Sequence, residues 1–349
     1  MVRKPPAGSL LSRRSVIAGA AASAAVLASI RVNVGAQNLK KIIVAEPVHQ
    51  IGYLPLYMAI DLGLFSKRGL DVSTLTATGG AHVSALVSGS VWANIGGPES
   101  DAMANGNGNG NANPLVSICN VVNRANNYMV AKKGLVPKSG SNADIAAMMK
   151  GKKIALNRFG GTPDVLGRWY IEKVGLNLTS DVTLINNADS AATPVMVKQG
   201  AADIAITTEP QITFGQEQGI WGEPFFGFPS LGEYAYSVIS VRKSTITSDP
   251  GAVQAFVDAM IESLKVAAVN RPVIERAAQH AFPTLPDSGL KGALDRSYAD
   301  NLWSKDGFIS EKGYVLDMSV VAKSGEFNKT ITYGDVVDMT FVKKHPKSA

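Results

Sequence analysis

Two short turns carry the residue types best suited to hold an anion. Thr78-Gly79-Gly80-Ala81-His82 and Arg158-Phe159-Gly160-Gly161-Thr162-Pro163 each place a glycine pair where a strand-like run gives way to a helix-like one. Glycines let backbone N–H groups approach a ligand closely, and a helix N-terminus carries partial positive charge, so such turns suit carboxylate, sulfonate or nitrate groups. Thr162 is the expected N-cap with Pro163 at the first helical position, and Arg158 offers a bidentate donor. The plainer alternative is that the glycines only turn the chain and that Arg158 is a solvated side chain.

Around these turns lie further candidates. Glu99, in Gly96-Gly97-Pro98-Glu99-Ser100, and Glu209, in Thr207-Thr208-Glu209-Pro210, follow matching strand-like runs. As a pair they could do acid/base work, but acids in that position more often cap helices or accept from backbone N–H groups, which is the preferred reading. Facing a ligand, Glu99 would favour a donor group there. Tyr53 and Phe159 sit where a flat ligand face could be covered, and His49 and Gln50 follow the first strand. Pro98 and Glu209 complete the candidate set. Signals for hydrolysis are weak: the four histidines, His49, His82, His280 and His345, form no i, i+4 pair, and there is no Gly-x-Ser-x-Gly elbow, His-Glu-x-x-His helix or phosphate loop. No catalytic residue, metal ligand or cofactor is assigned.

The elements that must position these turns alternate between β-like and amphipathic runs, which predicts an α/β fold with mostly parallel strands. The candidate strands are 41–45, 70–76, 93–96, 115–122, 153–157, 182–185 and 204–207. The second group repeats the first at an offset near 111 residues: Lys41-Ile42-Ile43-Val44 aligns with Lys152-Lys153-Ile154-Ala155, and Leu86-Val87-Ser88-Gly89 with Val197-Lys198-Gln199-Gly200. This repeat predicts two similar halves. Beyond it, Ser248-Asp249-Pro250 offers a helix start, and Val253, Phe256, Val257, Met260, Leu264 and Ala267 follow helical spacing as a packing face. Asn105-Gly106-Asn107-Gly108-Asn109-Gly110-Asn111-Ala112-Asn113-Pro114 lacks the strand-before, helix-after context of a glycine fingerprint and reads as a mobile surface loop.

The sequence has 349 residues, of which 46% are hydrophobic and 18% charged, as expected of a globular chain of about two domains. Its formal charge of +6 is concentrated at the start, where Arg3, Lys4, Arg13, Arg14 and Arg31 stand without an acid. The remainder is nearly neutral, which argues against nucleic acid as a partner. Cys119 is the single cysteine, so neither a disulfide framework nor a Cys-rich zinc site is available. Residues 1–36 read as an export leader: Ser12-Arg13-Arg14-Ser15-Val16 precedes a 15-residue apolar run from Val16 to Ile30, too short to span a membrane. The arginine pair resembles a twin-arginine signal, with general secretory export as the alternative, and cleavage is expected near Ala36.

Longer blocks carry a family resemblance. Ile51-Gly52-Tyr53-Leu54-Pro55-Leu56-Tyr57-Met58-Ala59, Leu62-Gly63-Leu64-Phe65 and Arg68-Gly69-Leu70-Asp71-Val72 resemble the opening of solute-binding proteins of the nitrate/sulfonate/taurine ABC-transporter family. Lys150-Gly151-Lys152-Lys153-Ile154-Ala155 and Gly200-Ala201-Ala202-Asp203-Ile204-Ala205 with Glu209-Pro210 are similar to that family's second half. Trp92, where the family commonly has Asp, and the Asn-Gly stretch depart from it. The resemblance implies a type II periplasmic-binding-protein fold: two α/β lobes, here 37–125 with 240–349 and 126–239, joined by crossings near 123–131 and 231–240. It implies a periplasmic, monomeric, non-enzymatic component of an importer that hands a small organic anion to a membrane permease, with sulfonates or aromatic carboxylates ahead of nitrate. A thiamine-pyrimidine precursor or flavin-like ligand is the alternative. The thiamine-pyrimidine synthases that resemble this family carry a cysteine-rich motif that a single cysteine cannot supply.

Overall fold

The computed structural model describes residues 39–108, 113–187, 190–325, 327 and 329–345. The expected leader, residues 1–36, lies outside the described residues, as do residues 109–112 of the Asn-Gly stretch.

The first half runs β1 (Lys40–Glu46), α1 (Leu54–Asp61), β2 (Leu70–Thr76), α2 (Ala81–Ser88), β3 (Ala93–Gly96), α3 (Pro98–Gly106) and β4 (Leu115–Val122). The second runs β5 (Tyr128–Ala131), α4 (Asn142–Met149), β6 (Lys153–Ala155), α5 (Thr162–Lys173), β7 (Thr183–Ile185), α6 (Thr193–Lys198), β8 (Ile204–Thr207), α7 (Gln211–Glu217) and β9 (Phe226–Gly227). After β10 (Ser237–Arg242) come α8 (Lys243–Ser248), α9 (Pro250–Val269), α10 (Arg271–Ala281), α11 (Asp287–Ala299), α12 (Glu311–Ser324) and α13 (Tyr333–Val336). β3, β4 and β8 are buried along their whole length, as strands covered on both faces must be.

The strands form two five-stranded sheets, ordered β2-β1-β3-β10-β4 and β7-β6-β8-β5-β9. β1 pairs in parallel with β2 and β3, and β6 with β7 and β8. Each order is the other with equivalent strands exchanged, so the sequence repeat is a structural one. Ala93 and Ile204, the partners of Val44 and Ile154, lie 111 positions apart. The repeat also reaches the helix ends, where Gly89 and Gly200 both adopt positive φ, at 85° and 74°, a conformation that costs glycine little.

The fourth strand of each sheet is antiparallel and follows a crossing from the other sheet: β5 follows β4 across and pairs with β8, whereas β10 follows β9 back and pairs with β3 and β4. The molecule is therefore two α/β lobes joined by two crossing segments. The expected strands omitted β5, β9 and β10, which pair antiparallel beside the crossings and fall outside the parallel strand-helix alternation that marks the others.

The C-terminal third differs from the expectation of plain packing on one lobe. Asp249 caps α9 by accepting from Ala252 N at 3.0 Å, and the six positions from Val253 to Ala267 named for that helix are all buried. α9 and α10 pack on α1, but α11 packs on α7 and α12 on both α3 and α5. These helices thus reach both halves, and one hydrophobic cluster runs from Ile42 through Ile154 and Phe256 to Val342. The Asn-Gly stretch is also more ordered at its ends than a free loop. Asn105 and Gly106 finish α3, the Asn105 side chain exchanges hydrogen bonds with Leu115, and Asn113 does so with Ser244. Among the described residues no helix is long and apolar enough to cross a membrane.

Candidate functional site

Ligands of open parallel sheets bind beyond the carboxyl ends of the strands, and here the two sheets turn those ends toward each other. A cavity of about 100 Å³ lies between them. The first half contributes Pro47, Val48, Gln50 and Tyr53 after β1, Gly79 and His82 at α2, and Gly96, Gly97 and Ser100 after β3. The second half contributes Asn157, Arg158, Gly161, Thr162, Pro163 and Ser190, and the returning crossing adds Tyr236 and Ser237. A larger cavity of about 660 Å³ lies among α9, α11 and residues 301–311. Its charged side chains have both signs, and none of the expected ligand residues lines it.

Among the described residues, Arg158 is the one formally charged side chain lining the smaller cavity. It reaches from the second half to the first, where its guanidinium lies 3.5 Å from the place a Cβ would take on Gly80, and it also lies 3.3 Å from that place on Gly161. Gly80 additionally has φ of 88°, so any side chain there would be strained while meeting the arginine in ordinary van der Waals contact. One guanidinium edge is fixed by donating to the Phe159 carbonyl at 3.2 Å.

His82 faces Arg158 from the second residue of α2 and is 3% exposed. Its Nδ1 has no hydrogen-bond partner among the described residues. Burial, and then the charge of Arg158, lower its pKa to about 4, so the ring is neutral at ordinary pH. A buried nitrogen without a partner beside a lone cation is a group waiting for a ligand or water. Around it the wall is uncharged and polar. Ser237 donates to the Tyr53 hydroxyl at 3.5 Å, and the Tyr236 hydroxyl accepts from Asn127 at 2.5 Å. Burial raises the pKa of both tyrosines, keeping them protonated.

Of the residues expected to reach a ligand, Gln50, Tyr53, Gly79, Arg158, Gly161 and Thr162 line the cavity, whereas the others lie elsewhere. Thr78, Gly80 and Ala81 build the turn behind the wall, with Ala81 N donating to the Thr78 carbonyl at 3.1 Å. His49 is turned away: its Nδ1 meets Glu46 at 2.9 Å, its Nε2 meets the Ala281 carbonyl at 3.0 Å, and its ring stacks on Tyr57. It fastens α10 to the first lobe; burial acts most strongly and lowers its pKa, but the bond to Glu46, the Glu46 charge and the Ala281 carbonyl together outweigh it, so its pKa is raised. Phe159 is 61% exposed, with the Arg168 guanidinium 5.1 Å from its ring centre. Gly160 N donates to Asp164. Thr162 is not the N-cap; Gly161 is, and the Thr162 hydroxyl instead donates across the lobes to Glu99 at 2.5 Å.

The two glutamates are both structural. Pro98 opens α3, and Glu99 is wholly buried behind Gly97. Glu209 accepts from Thr213 N and Oγ1 at 3.1 and 2.9 Å and from Arg296 Nε at 2.9 Å. Burial raises its pKa against those bonds. The residues missed were His82, Ser100, Asn157, Ser190, Tyr236 and Ser237. His82 stood in a quoted turn and had the signal of a helix N-terminus; Tyr236 and Ser237 belong to the crossing strand that periodicity did not reveal.

Comparisons with known proteins agree with this arrangement. A family model described as NMT1/THI5 like matches residues 50–273. The putative binding protein YtlA of Bacillus subtilis (strain 168) is 26% identical over 312 residues, covering 88% of this chain and 90% of its own length. The alkanesulfonate-binding protein SsuA from Xanthomonas axonopodis pv. citri, solved with bound MOPS, is 15% identical and aligns with a TM-score of 0.69 over 86% of this chain and 98% of that one. The periplasmic nitrate-binding protein NrtA from Synechocystis PCC 6803 is 15% identical, with a TM-score of 0.71 over 88% of each chain. These solved structures share the fold, the type II periplasmic-binding arrangement that the resemblance implied.

Proposed function

The chain belongs to the NMT1/THI5-like family, and from that membership and the cleft we propose that it is the extracytoplasmic solute-binding component of an ABC importer, taking a small organic anion between its lobes without transforming it. The observation that carries this reading is Arg158, the one cation among the described residues that line the cleft, held across the lobes beside neutral His82, whose Nδ1 has no partner among the described residues. Anion capture needs charge without a competing acid, and Glu99, which would have favoured a donor group, is absent from the lining. A cavity of about 100 Å³, set against the ~300–1,000 Å³ of drug-sized sites, favours a compact sulfonate or carboxylate over a flavin-like ligand.

In this reading residues 1–36 direct export, 37–125 with 240–349 form one lobe, 126–239 form the other, and a membrane permease receives the loaded monomer. A ligand shuts the hinge only by as much as it prefers the shut state, so contacts from both lobes are required. Arg158 from the second lobe and His82 from the first would supply them.

The test is a thermal-shift panel with taurine, longer alkanesulfonates, benzoate-type carboxylates, nitrate and aminopyrimidines. A ligand at about 100 times its Kd stabilises the fold by about 2.7 kcal/mol. We expect a sulfonate or carboxylate to stabilise the protein and Arg158→Ala to weaken it by roughly 10- to 100-fold, the worth of a charge-assisted hydrogen bond. Stabilisation by aminopyrimidines alone would move the ligand class, and turnover of the bound compound would end the reading.

A further inference from the structure

Directly behind the cleft wall two carboxyl groups meet with no cation between them. Glu99 and Asp317, the latter on α12, are both 0% exposed. Glu99 Oε1 accepts from the Thr162 hydroxyl of the opposite lobe at 2.5 Å and from Ser100 at 3.4 Å. Asp317 Oδ1 accepts from the hydroxyl of Tyr234, on the returning crossing, at 2.7 Å. The second oxygens, Glu99 Oε2 and Asp317 Oδ2, have no donor among the described residues, yet the two side chains are within hydrogen-bonding reach of each other. Two carboxylates have only acceptors to offer; a carboxylic acid and a carboxylate make one good bond.

We propose that Glu99 and Asp317 share a single proton, and that this shared proton keeps the lobes shut at the back of the cleft, so that the cleft opens as pH rises. The pair lies within the first lobe and is tied to the second lobe and to the crossing through its donors. Glu99 is on α3 of the first lobe, Thr162 opens α5 of the second, α12 packs on both helices, and Tyr234 lies in the hinge. With the lobes shut both carboxyls are closed off from bulk solvent, and burial pushes both of them up, Asp317 further because of the charge on Glu99. Parting α5 from α3 and α12 would hydrate them and restore ordinary acidity.

The facing groups leave the direction unchanged. Arg158 is the cation whose charge acts on Glu99, Asp101 adds a further acid on α3, and Tyr53, Tyr234, Tyr236 and Tyr314 are kept protonated by burial. The shut arrangement therefore binds one proton more than the open one. Raising the pH through the elevated range removes that proton and opens the cleft; below the ordinary carboxylate range both arrangements are fully protonated and the dependence ends. Opening releases one proton to water and nothing else.

Small-angle X-ray scattering of the ligand-free full chain, from about pH 5 to about pH 8.5, reads the hinge in that window. Wild type should expand as pH rises, whereas Asp317→Asn and Glu99→Gln, whose amides donate the missing hydrogen bond without a proton, should stay compact throughout. Identical curves for wild type and Asp317→Asn, or no expansion of wild type, would overturn the proposal. Infrared spectroscopy of wild type alone gives a second readout should a variant fail to fold. A protonated-carboxyl stretch should be present at low pH and disappear in step with expansion, and its absence from the compact form would equally overturn it. No ligand enters either measurement, so the outcome is separate from that of the anion panel.

Discussion

The two lobes repeat one architecture but surround the acids that follow β3 and β8 in opposite ways. In the second lobe Glu209 accepts from Arg296 Nε at 2.9 Å, and Asp164 accepts from Arg168 Nε at 3.0 Å. In the first, Glu99, Asp101 and Asp317 are all buried with no ion-pair partner among the described residues; Asp101 accepts from Asn94 and from Ser117, each at 3.5 Å. Glu99 and Glu209 occupy matching places after β3 and β8. The C-terminal helices separate them: α11 brings an arginine to one and α12 an aspartate to the other. An internal repeat thus fixes where a side chain stands, while the non-repeated part of the chain fixes its charge state.

If the second lobe relies on ion pairing, removing the cation should do the most damage. Arg296→Ala leaves Glu209 buried and unpaired, and urea unfolding should show a loss of about 3–5 kcal/mol, the usual effect of breaking a buried pair from one side. A loss under about 1 kcal/mol would mean that the Thr213 bonds suffice.

The first lobe should instead show its acids in the pH profile. Asp101 is pushed up to about 7, chiefly by burial, with bonds from Ser240 and Asn94 opposing. The folded state then binds more protons than the unfolded one, so stability falls as pH rises from about 4 to about 7. Asp101→Asn should remove that fall, on the order of 4 kcal/mol over about three pH units, measured as unfolding midpoints across the range. Asp317→Asn should act in the same sense. At neutral pH we expect a gain of about 1 kcal/mol, since the amide donates without the proton that folding must otherwise take up, and the gain should vanish in acid.

The smallest effects should separate the two threonines that serve the glutamates. Thr213→Val deletes a bond within one lobe and should cost about 1 kcal/mol in unfolding, with no change in compactness. Thr162→Val deletes the bond between lobes; it should cost no more in unfolding, and scattering should show a more open chain.

Much of the fold was legible because its signals are local. Seven strands, the start of α9 and its buried face follow from short-range periodicity and turn chemistry, and the repeat follows from comparing the chain with itself. The cleft was half legible for the same reason. Glycine turns named the place of Arg158, Gly79 and Gly161, but a turn does not say which neighbour faces inward, so His49 and Phe159 were expected where His82 and Tyr236 stand.

What the sequence determined by itself was the kind of layers, their repetition and the turns at which a ligand could be met. Only the tertiary structure decided which groups share a charge environment. Tyr234 and Asp317 are 83 residues apart, and Glu209 and Arg296 are 87 apart. No local pattern spans such distances. Ionisation depends on what lies within a few ångströms once water is excluded, and that neighbourhood exists only when the crossings and the C-terminal helices have closed over both lobes.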